Sequence, residues 1–141
     1  MEQGLRAFVV GATGSCGREL VKELLKSPKW SQVTVLVRKP LPDWESLSND
    51  EKQRLDILIK ENLDGLTDHS KWNLSGYSSV FCCLGVLAGE GSFDDYIRVN
   101  CTYPANAAKL ASHFKVPHYS LISGGGIHSK SWNESKRSDG R

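Results

Sequence analysis

Three glycines near the start of the chain constrain its fold more than any other feature. Gly11, Gly14 and Gly17 are spaced G-x-x-G-x-x-G and directly follow the apolar run at residues 8–10. A helical pattern then begins, with its apolar side chains on one face: Leu20, Val21, Leu24 and Leu25. A glycine turn between a strand and a helix is typical of nucleotide binding. The alternative interpretation is an ordinary glycine-rich turn.

Each glycine has its own physical role in this prediction. Gly11 allows a sharp turn at the end of the strand, Gly14 lets the backbone approach a phosphate, and Gly17 lets the helix pack closely on the sheet. The first N–H groups of the helix lack acceptors within it, and they lie at the positive end of its dipole. The sequence therefore predicts a pyrophosphate site at the start of the first helix.

Strand and helix patterns alternate along most of the chain. Predicted strands lie at 7–10, 33–37, 55–59, 80–85 and 118–123. Predicted helical segments lie at 15–26, 50–54, 68–72 and 93–114, with Pro104 expected to kink the last one or to open a new helix. This alternation predicts an α/β fold, a doubly wound parallel sheet of the Rossmann type with strand order 3-2-1-4-5.

Basic residues follow the second predicted strand, where many dinucleotide-binding folds have an acidic one. An acidic side chain about 20 residues beyond the glycines binds the ribose hydroxyls of NAD(H). Arg38 stands near that distance, with Lys39 beside it, and a guanidinium pairs with phosphate. We therefore expect NADP(H) in preference to NAD(H). The alternative is a solvated charge at a strand end.

Two further features have competing interpretations. A polar side chain in the run at 61–64 is a candidate to bond the adenine amine, but a turn or an N-cap explains the same residues. Trp44, in the loop at 40–49, could cover the adenine or simply pack under the loop.

Composition bounds the remaining possibilities. The chain has 141 residues, enough for one domain, and its 18 basic and 16 acidic side chains nearly cancel, which gives no reason to expect nucleic acid. None of the four cysteines forms a C-x-x-C pair, so we expect no metal site and predict buried free thiols. With no signal peptide or membrane span in evidence, we expect a cytoplasmic protein, with a nuclear location as the alternative.

The chain resembles the short-chain dehydrogenase/reductase superfamily, and within it the atypical branch that includes the Tat-interacting oxidoreductase-like proteins. The resemblance covers residues 5 to 128 and depends on the runs at 10–17, 35–39, 81–85, 96–100 and 121–123. It implies that the pyrophosphate is lined by Gly11, Thr13, Gly14, Ser15, Cys16 and Gly17. It further implies that Arg38 and Lys39 meet the 2′-phosphate, that Leu84 and Gly85 border the nicotinamide, and that Ser123 is the active-site serine.

The chain departs from this family after Ser123. The family uses a Y-x-x-x-K pair, in which the ammonium lowers the pKa of the tyrosine that exchanges a proton with substrate. No tyrosine of this chain stands four residues before a lysine, so we expect a domain that cannot catalyse the reaction. The alternatives are a non-catalytic NAD(P)H-sensing or protein-interaction module and a fragment without activity.

The domain prediction follows from the same comparison. We expect an incomplete NAD(P)-binding domain over residues 1–128 and a polar, disordered tail over 129–141, as in a C-terminally truncated chain. Later strands of the family would be missing, which would leave the fifth strand as an exposed edge. We therefore expect a homodimer or a protein partner at that edge, in addition to the dinucleotide.

Overall fold

The apolar run before the glycines forms the central strand of a five-stranded parallel sheet. The computed structural model describes residues 4–86 and 91–122. Its strands are β1 (Leu5–Val10), β2 (Trp30–Val37), β3 (Leu55–Ile59), β4 (Ser79–Cys82) and β5 (His118–Leu121). All pairings are parallel, and the strand order is β3-β2-β1-β4-β5. The predicted fold class and strand order are confirmed.

Helices cover both faces of this sheet. They are α1 (Ser15–Lys26), α2 (Asn49–Arg54), α3 (Phe93–Ile97) and α4 (Tyr103–His113), and a π-helical segment, Arg98–Thr102, joins α3 to α4. Short 3-10 turns lie at Pro42–Ser46, Asp64–Thr67 and His69–Lys71. Pro104 lies in the first turn of α4, directly after the π-helical segment and with helical backbone before it, so α4 begins at this proline, one of the two predicted alternatives.

Several strand boundaries differ from the predictions for identifiable reasons. β1 and β2 begin earlier than expected because polar side chains at their starts pair across the strands, with Arg6 Nε donating to Gln32 Oε1 at 2.9 Å. β4 ends at Cys82 rather than at residue 85, because the backbone at Val86 is held by the Asn100 side chain of the π-helical segment and not by a neighbouring strand. β5 ends at Leu121, and Ser123 and the predicted tail lie outside the described residues.

Two hydrophobic clusters fill the spaces between the sheet and its helices. The α1 cluster, on one face, contains Val9, Val35 and Leu25. The α4 cluster, on the other face, contains Phe8, Leu36 and Leu110. Trp44 is 7% exposed and belongs to the α1 cluster, so its role is packing rather than adenine contact.

The four cysteines are free thiols in different environments. Cys82 is buried, Cys83 is half-buried, and Cys16 and Cys101 are exposed. The prediction of buried thiols is therefore wrong for two of them, because Cys16 lies in the first turn of α1 and Cys101 lies on the outer side of the π-helical segment. In the part of the chain that the structure describes, no helix combines the length and apolar character needed to cross a membrane.

Candidate functional site

The turn after β1 brings backbone against backbone. Gly11 has a φ of +80°, a left-handed conformation that favours glycine. A Cβ atom there would lie 2.7 Å from the Cys83 carbonyl carbon, at the exit of β4. Cys83 N also donates to Val10 O at 2.8 Å. Gly11 thus allows β1 and β4 to remain adjacent while the chain turns sharply.

The second and third glycines serve opposite purposes. Gly17 is buried, and a Cβ atom on it would lie 2.0 Å from Gly11 O, so only hydrogen fits between α1 and the turn. Gly14 is the exposed N-cap of α1, and a Cβ atom on it would make only an ordinary contact, with Gly11 O at 3.8 Å. The first turn of α1 has no capping side chain and no acidic residue. This uncapped helix start, with a cradle that a side chain would fill, fits a phosphate group.

A cleft of about 570 Å³ opens from this turn along the carboxyl edge of the sheet. Its lining brings together six of the predicted site residues, namely Gly11, Thr13, Gly14, Arg38, Leu84 and Gly85. Four others lie outside the lining: Ser15, Cys16, Gly17 and Lys39. The site thus gathers segments that follow β1, β2, β3 and β4, at the edge where ligands of open parallel sheets bind.

Polar residues beyond β3 form the wall next to Arg38. Lys60, Glu61 and Asn62 all line the cleft. The Asn62 side-chain oxygen accepts a hydrogen bond from Asp64 N at 3.0 Å. The sequence left two interpretations of this run, a turn and recognition of adenine. The hydrogen bond forms the turn, which gives Asn62 a structural role.

Asn100, which the sequence analysis assigned no role, fixes the exit of β4. Its Nδ2 donates to Val86 O at 3.1 Å and to Tyr96 O at 3.0 Å, and its Oδ1 accepts from Val86 N at 3.2 Å. Val86 therefore has its N–H and carbonyl both satisfied by one side chain, as a neighbouring strand would satisfy them. The available signal was its place in the run at 96–100, one of the runs on which the family resemblance depends.

Tyr103, at the start of α4, links this helical region to the 3-10 turn that follows β3. It is 8% exposed, and its hydroxyl donates to Asp64 Oδ1 at 2.7 Å. Burial, together with the Asp64 carboxylate, raises the pKa of Tyr103. A second cavity of about 510 Å³ adjoins this hydrogen bond and shares Arg98 and Tyr103 with the cleft.

Nearby groups that could titrate are poorly suited to chemistry at neutral pH. Burial, aided by charge on Cys82 and Cys16, raises the pKa of Cys83 to about 11, so this cleft-lining thiol remains protonated. Burial also raises the pKa of Tyr119, whose hydroxyl donates to Pro104 O at 2.8 Å. Over residues 4–86 and 91–122, no group of three or more His, Cys, Asp or Glu side chains could hold a metal ion. Ser123, the predicted active-site serine, lies outside those ranges.

The chain matches a known protein family and is similar to curated proteins. Residues 11–140 match the family described as NAD(P)H-binding. Protein HTATIP2 from Rattus norvegicus is 30% identical over 129 residues, which cover 92% of this chain and 51% of that protein. Protein FMP52-2, mitochondrial, from Scheffersomyces stipitis is 29% identical over 118 residues, 83% of this chain and 48% of that protein. The chain spans about half the length of the curated relatives it matches.

Solved structures support the fold at low sequence identity. The UDP-glucuronic acid 4-epimerase from Bacillus cereus, solved in complex with NAD, has a TM-score of 0.67 at 20% identity, covering 89% of this chain and 42% of that chain. A short-chain dehydrogenase/reductase from Saccharomyces cerevisiae has a TM-score of 0.66 at 16% identity, covering 97% of this chain and 61% of that chain. These similarities extend to the sheet and helices that surround the cleft.

Proposed function

The chain belongs to the NAD(P)H-binding family, and we propose that its cleft binds NADP(H) in preference to NAD(H). The domain is of the oxidoreductase type, with a nicotinamide dinucleotide as its cofactor. The observation that carries the preference is Arg38, an exposed guanidinium in the cleft lining directly after β2. A 2′-phosphate there would gain a bidentate partner, whereas a 2′-hydroxyl would find no carboxylate acceptor at that position.

Titration of both cofactors tests this preference. Binding can be followed by the fluorescence of the four tryptophans or by calorimetry. We expect tighter binding of NADPH than of NADH, and we expect Arg38→Met to reduce that ratio at least tenfold, with little change for NADH. Equal affinities for the two cofactors in the unmodified chain would contradict the proposal.

The second part of the proposal concerns catalysis by these 141 residues. A bound nicotinamide supplies or accepts a hydride, so a side chain must exchange a proton with the substrate. None of the tyrosines in the sequence is followed by a lysine four residues later. Tyr77, Tyr103 and Tyr119 are also committed to hydrogen bonds within the fold. We therefore propose that this polypeptide binds the cofactor without turnover, as a sensing or interaction module would.

An assay of NADPH oxidation tests this second part. The 141-residue chain is incubated with NADPH and a panel of aldehydes and ketones, with the heat-denatured chain as the control. We expect no oxidation above that control, although NADPH binds. Oxidation that depends on a carbonyl compound would make the chain an enzyme in its own right.

We also propose that copies of the chain associate through β5. Within the described residues, β5 is the outermost strand on its side of the sheet, and Leu121 and Ile122 are nearly half exposed. An unpaired strand edge with apolar side chains favours pairing with another strand. Sedimentation should show a dimer that Leu121→Lys weakens, and a monomer at all concentrations would contradict this part.

A further inference from the structure

We propose that Lys60 is a second cation for the 2′-phosphate of NADP(H), and that Lys60, rather than Lys39, acts together with Arg38. This inference rests on the proposed function, because it assigns a residue to the phosphate that distinguishes the two cofactors. It differs from the sequence-based expectation, which paired Arg38 with its neighbour in the chain. Three structural observations carry it: strand register, the face of the sheet, and the absence of a competing ion pair.

The register of β2 and β3 makes Arg38 and Lys60 neighbours. The last residues of the two strands, Val37 and Ile59, are partners in the parallel ladder. The pairing continues one step further, since Lys60 N donates to Val37 O at 2.9 Å. Arg38 and Lys60 are therefore the next pair in register, on strands about 4.8 Å apart. Two residues 22 positions apart in sequence thus stand side by side at the carboxyl edge of the sheet.

Strand alternation places both cations on one face. Leu36 and Leu58 precede Arg38 and Lys60 by two residues and pack in the α4 cluster, so all four share a face by the period of two. Both Arg38 and Lys60 line the cleft. Lys39, the next residue in the chain, lies outside the lining.

The two side chains are available for an anion. Among the described residues, no carboxylate lies within 4.0 Å of either cation, whereas the third cation of the cleft lining, Arg98, is paired with Asp95 at 3.3 Å. Lys60 Nζ lies 5.9 Å from the centre of the Trp72 ring, a distance that leaves the ammonium free to turn toward the cleft. Glu61 contributes one carboxylate to the same wall, so the corner has two cations against one anion. A phosphate dianion suits a planar guanidinium together with a compact ammonium.

Matched substitutions of the two lysines test the assignment. Lys60→Met removes the charge and keeps an aliphatic chain beside Trp72, and Lys39→Met removes an equal charge outside the cleft lining. For Lys60→Met we expect the dissociation constant of NADPH to rise about tenfold, while that of NADH changes less than twofold. For Lys39→Met we expect both constants to change less than twofold. Lys60→Arg should restore NADPH binding to within about threefold.

Shorter ligands test whether the loss of affinity comes from the 2′-phosphate alone. Lys60→Met should weaken 2′,5′-ADP as much as NADPH and leave 5′-AMP unchanged. A loss that is equal for NADPH and NADH would mean that Lys60 only packs on Trp72, and it would overturn the inference. So would an unchanged NADPH affinity in Lys60→Met, or a larger loss in Lys39→Met.

The same titrations separate this inference from the function on which it rests. If the unmodified chain prefers NADPH and Lys60→Met keeps that preference, only the role of Lys60 is overturned. If the unmodified chain binds neither cofactor, or binds both equally, the proposed preference fails and the role of Lys60 fails with it. A Lys60→Gln variant repeats the test should Lys60→Met alter the thermal unfolding curve.

Discussion

The two sides of the cleft are held by different kinds of contact. At the turn between β1 and α1, backbone meets backbone, and Gly17 fits because it has no side chain. At the exit of β4, a single side chain, Asn100, holds the backbone at Val86 through three hydrogen bonds. The first arrangement tolerates no added atom, whereas the second depends on one amide group. Rigidity at the phosphate end is thus set by packing, and order at the other end by hydrogen bonding.

The largest expected effect comes from filling the turn. Gly17→Ala introduces a Cβ atom 2.0 Å from Gly11 O and 2.9 Å from Ala12 Cα, and both of these neighbours are backbone. Because backbone cannot move aside cheaply, we expect a loss of about 3 kcal/mol or more in the free energy of unfolding, measured in urea.

Gly14→Ala is the matched control for that substitution. Its added methyl group would make only an ordinary contact with Gly11 O, so we expect stability to change by about 1 kcal/mol or less. The methyl group would occupy the phosphate cradle, and NADPH affinity should fall at least tenfold. If both substitutions destabilise the fold equally, the division of roles between the two glycines is wrong.

An intermediate effect is expected at the other side of the cleft. Asn100→Leu leaves the N–H and carbonyl of Val86 without their partners, and we expect it to cost about 1–3 kcal/mol. NADPH should bind more weakly, whereas 2′,5′-ADP, which lacks the nicotinamide half, should bind as before. Asn106→Leu is the control, because Asn106 is half-buried nearby and makes no side-chain hydrogen bond to the described residues. Equal losses for NADPH and 2′,5′-ADP would mean that Asn100 acts on the whole fold.

The same contrast explains what could be predicted from the sequence. Where α1 begins, the contact that constrains Gly17 comes from Gly11, six residues earlier, and the predicted helix 15–26 agrees with α1, as the predicted third strand 55–59 agrees with β3. The predicted strand 80–85 ran three residues too far, because the contact that holds Val86 comes from 14 residues downstream. An apolar run alone cannot distinguish a strand end from a segment held by a helix.

Within the site, the position of one missed residue, Lys60, depends on strand register. Arg38 could be predicted because it follows a β-branched strand at a familiar distance from the glycines. Lys60 could not, since its position beside Arg38 follows from the pairing of Val37 with Ile59. A sequence fixes strand order through connection rules, but register requires knowing which side chains share a face.

The smallest expected effect is a pH dependence of stability that comes from Cys83, the residue that follows β4. The pKa of Cys83 rises from 9.0 to about 11 in the folded chain, so folding favours the neutral thiol. Its contribution is fully present below pH 9 and is lost as the pH rises through 11. We expect the urea midpoint to fall between pH 9 and 11, and Cys83→Ala to make that fall shallower.

The exposed thiol of Cys101 serves as the control for this titration. Cys101→Ala should leave the pH profile unchanged, because this cysteine is exposed and does not line the cleft. A part of the decline should persist in Cys83→Ala, since burial also raises the pKa of Cys82 and of Tyr119. Gly14→Ala adds and removes no titrating side chain, so this variant should parallel the unmodified chain at every pH. If the urea midpoint of Gly14→Ala falls less with pH, or if that of Cys83→Ala falls as in the unmodified chain, the loss of stability at alkaline pH does not come from Cys83.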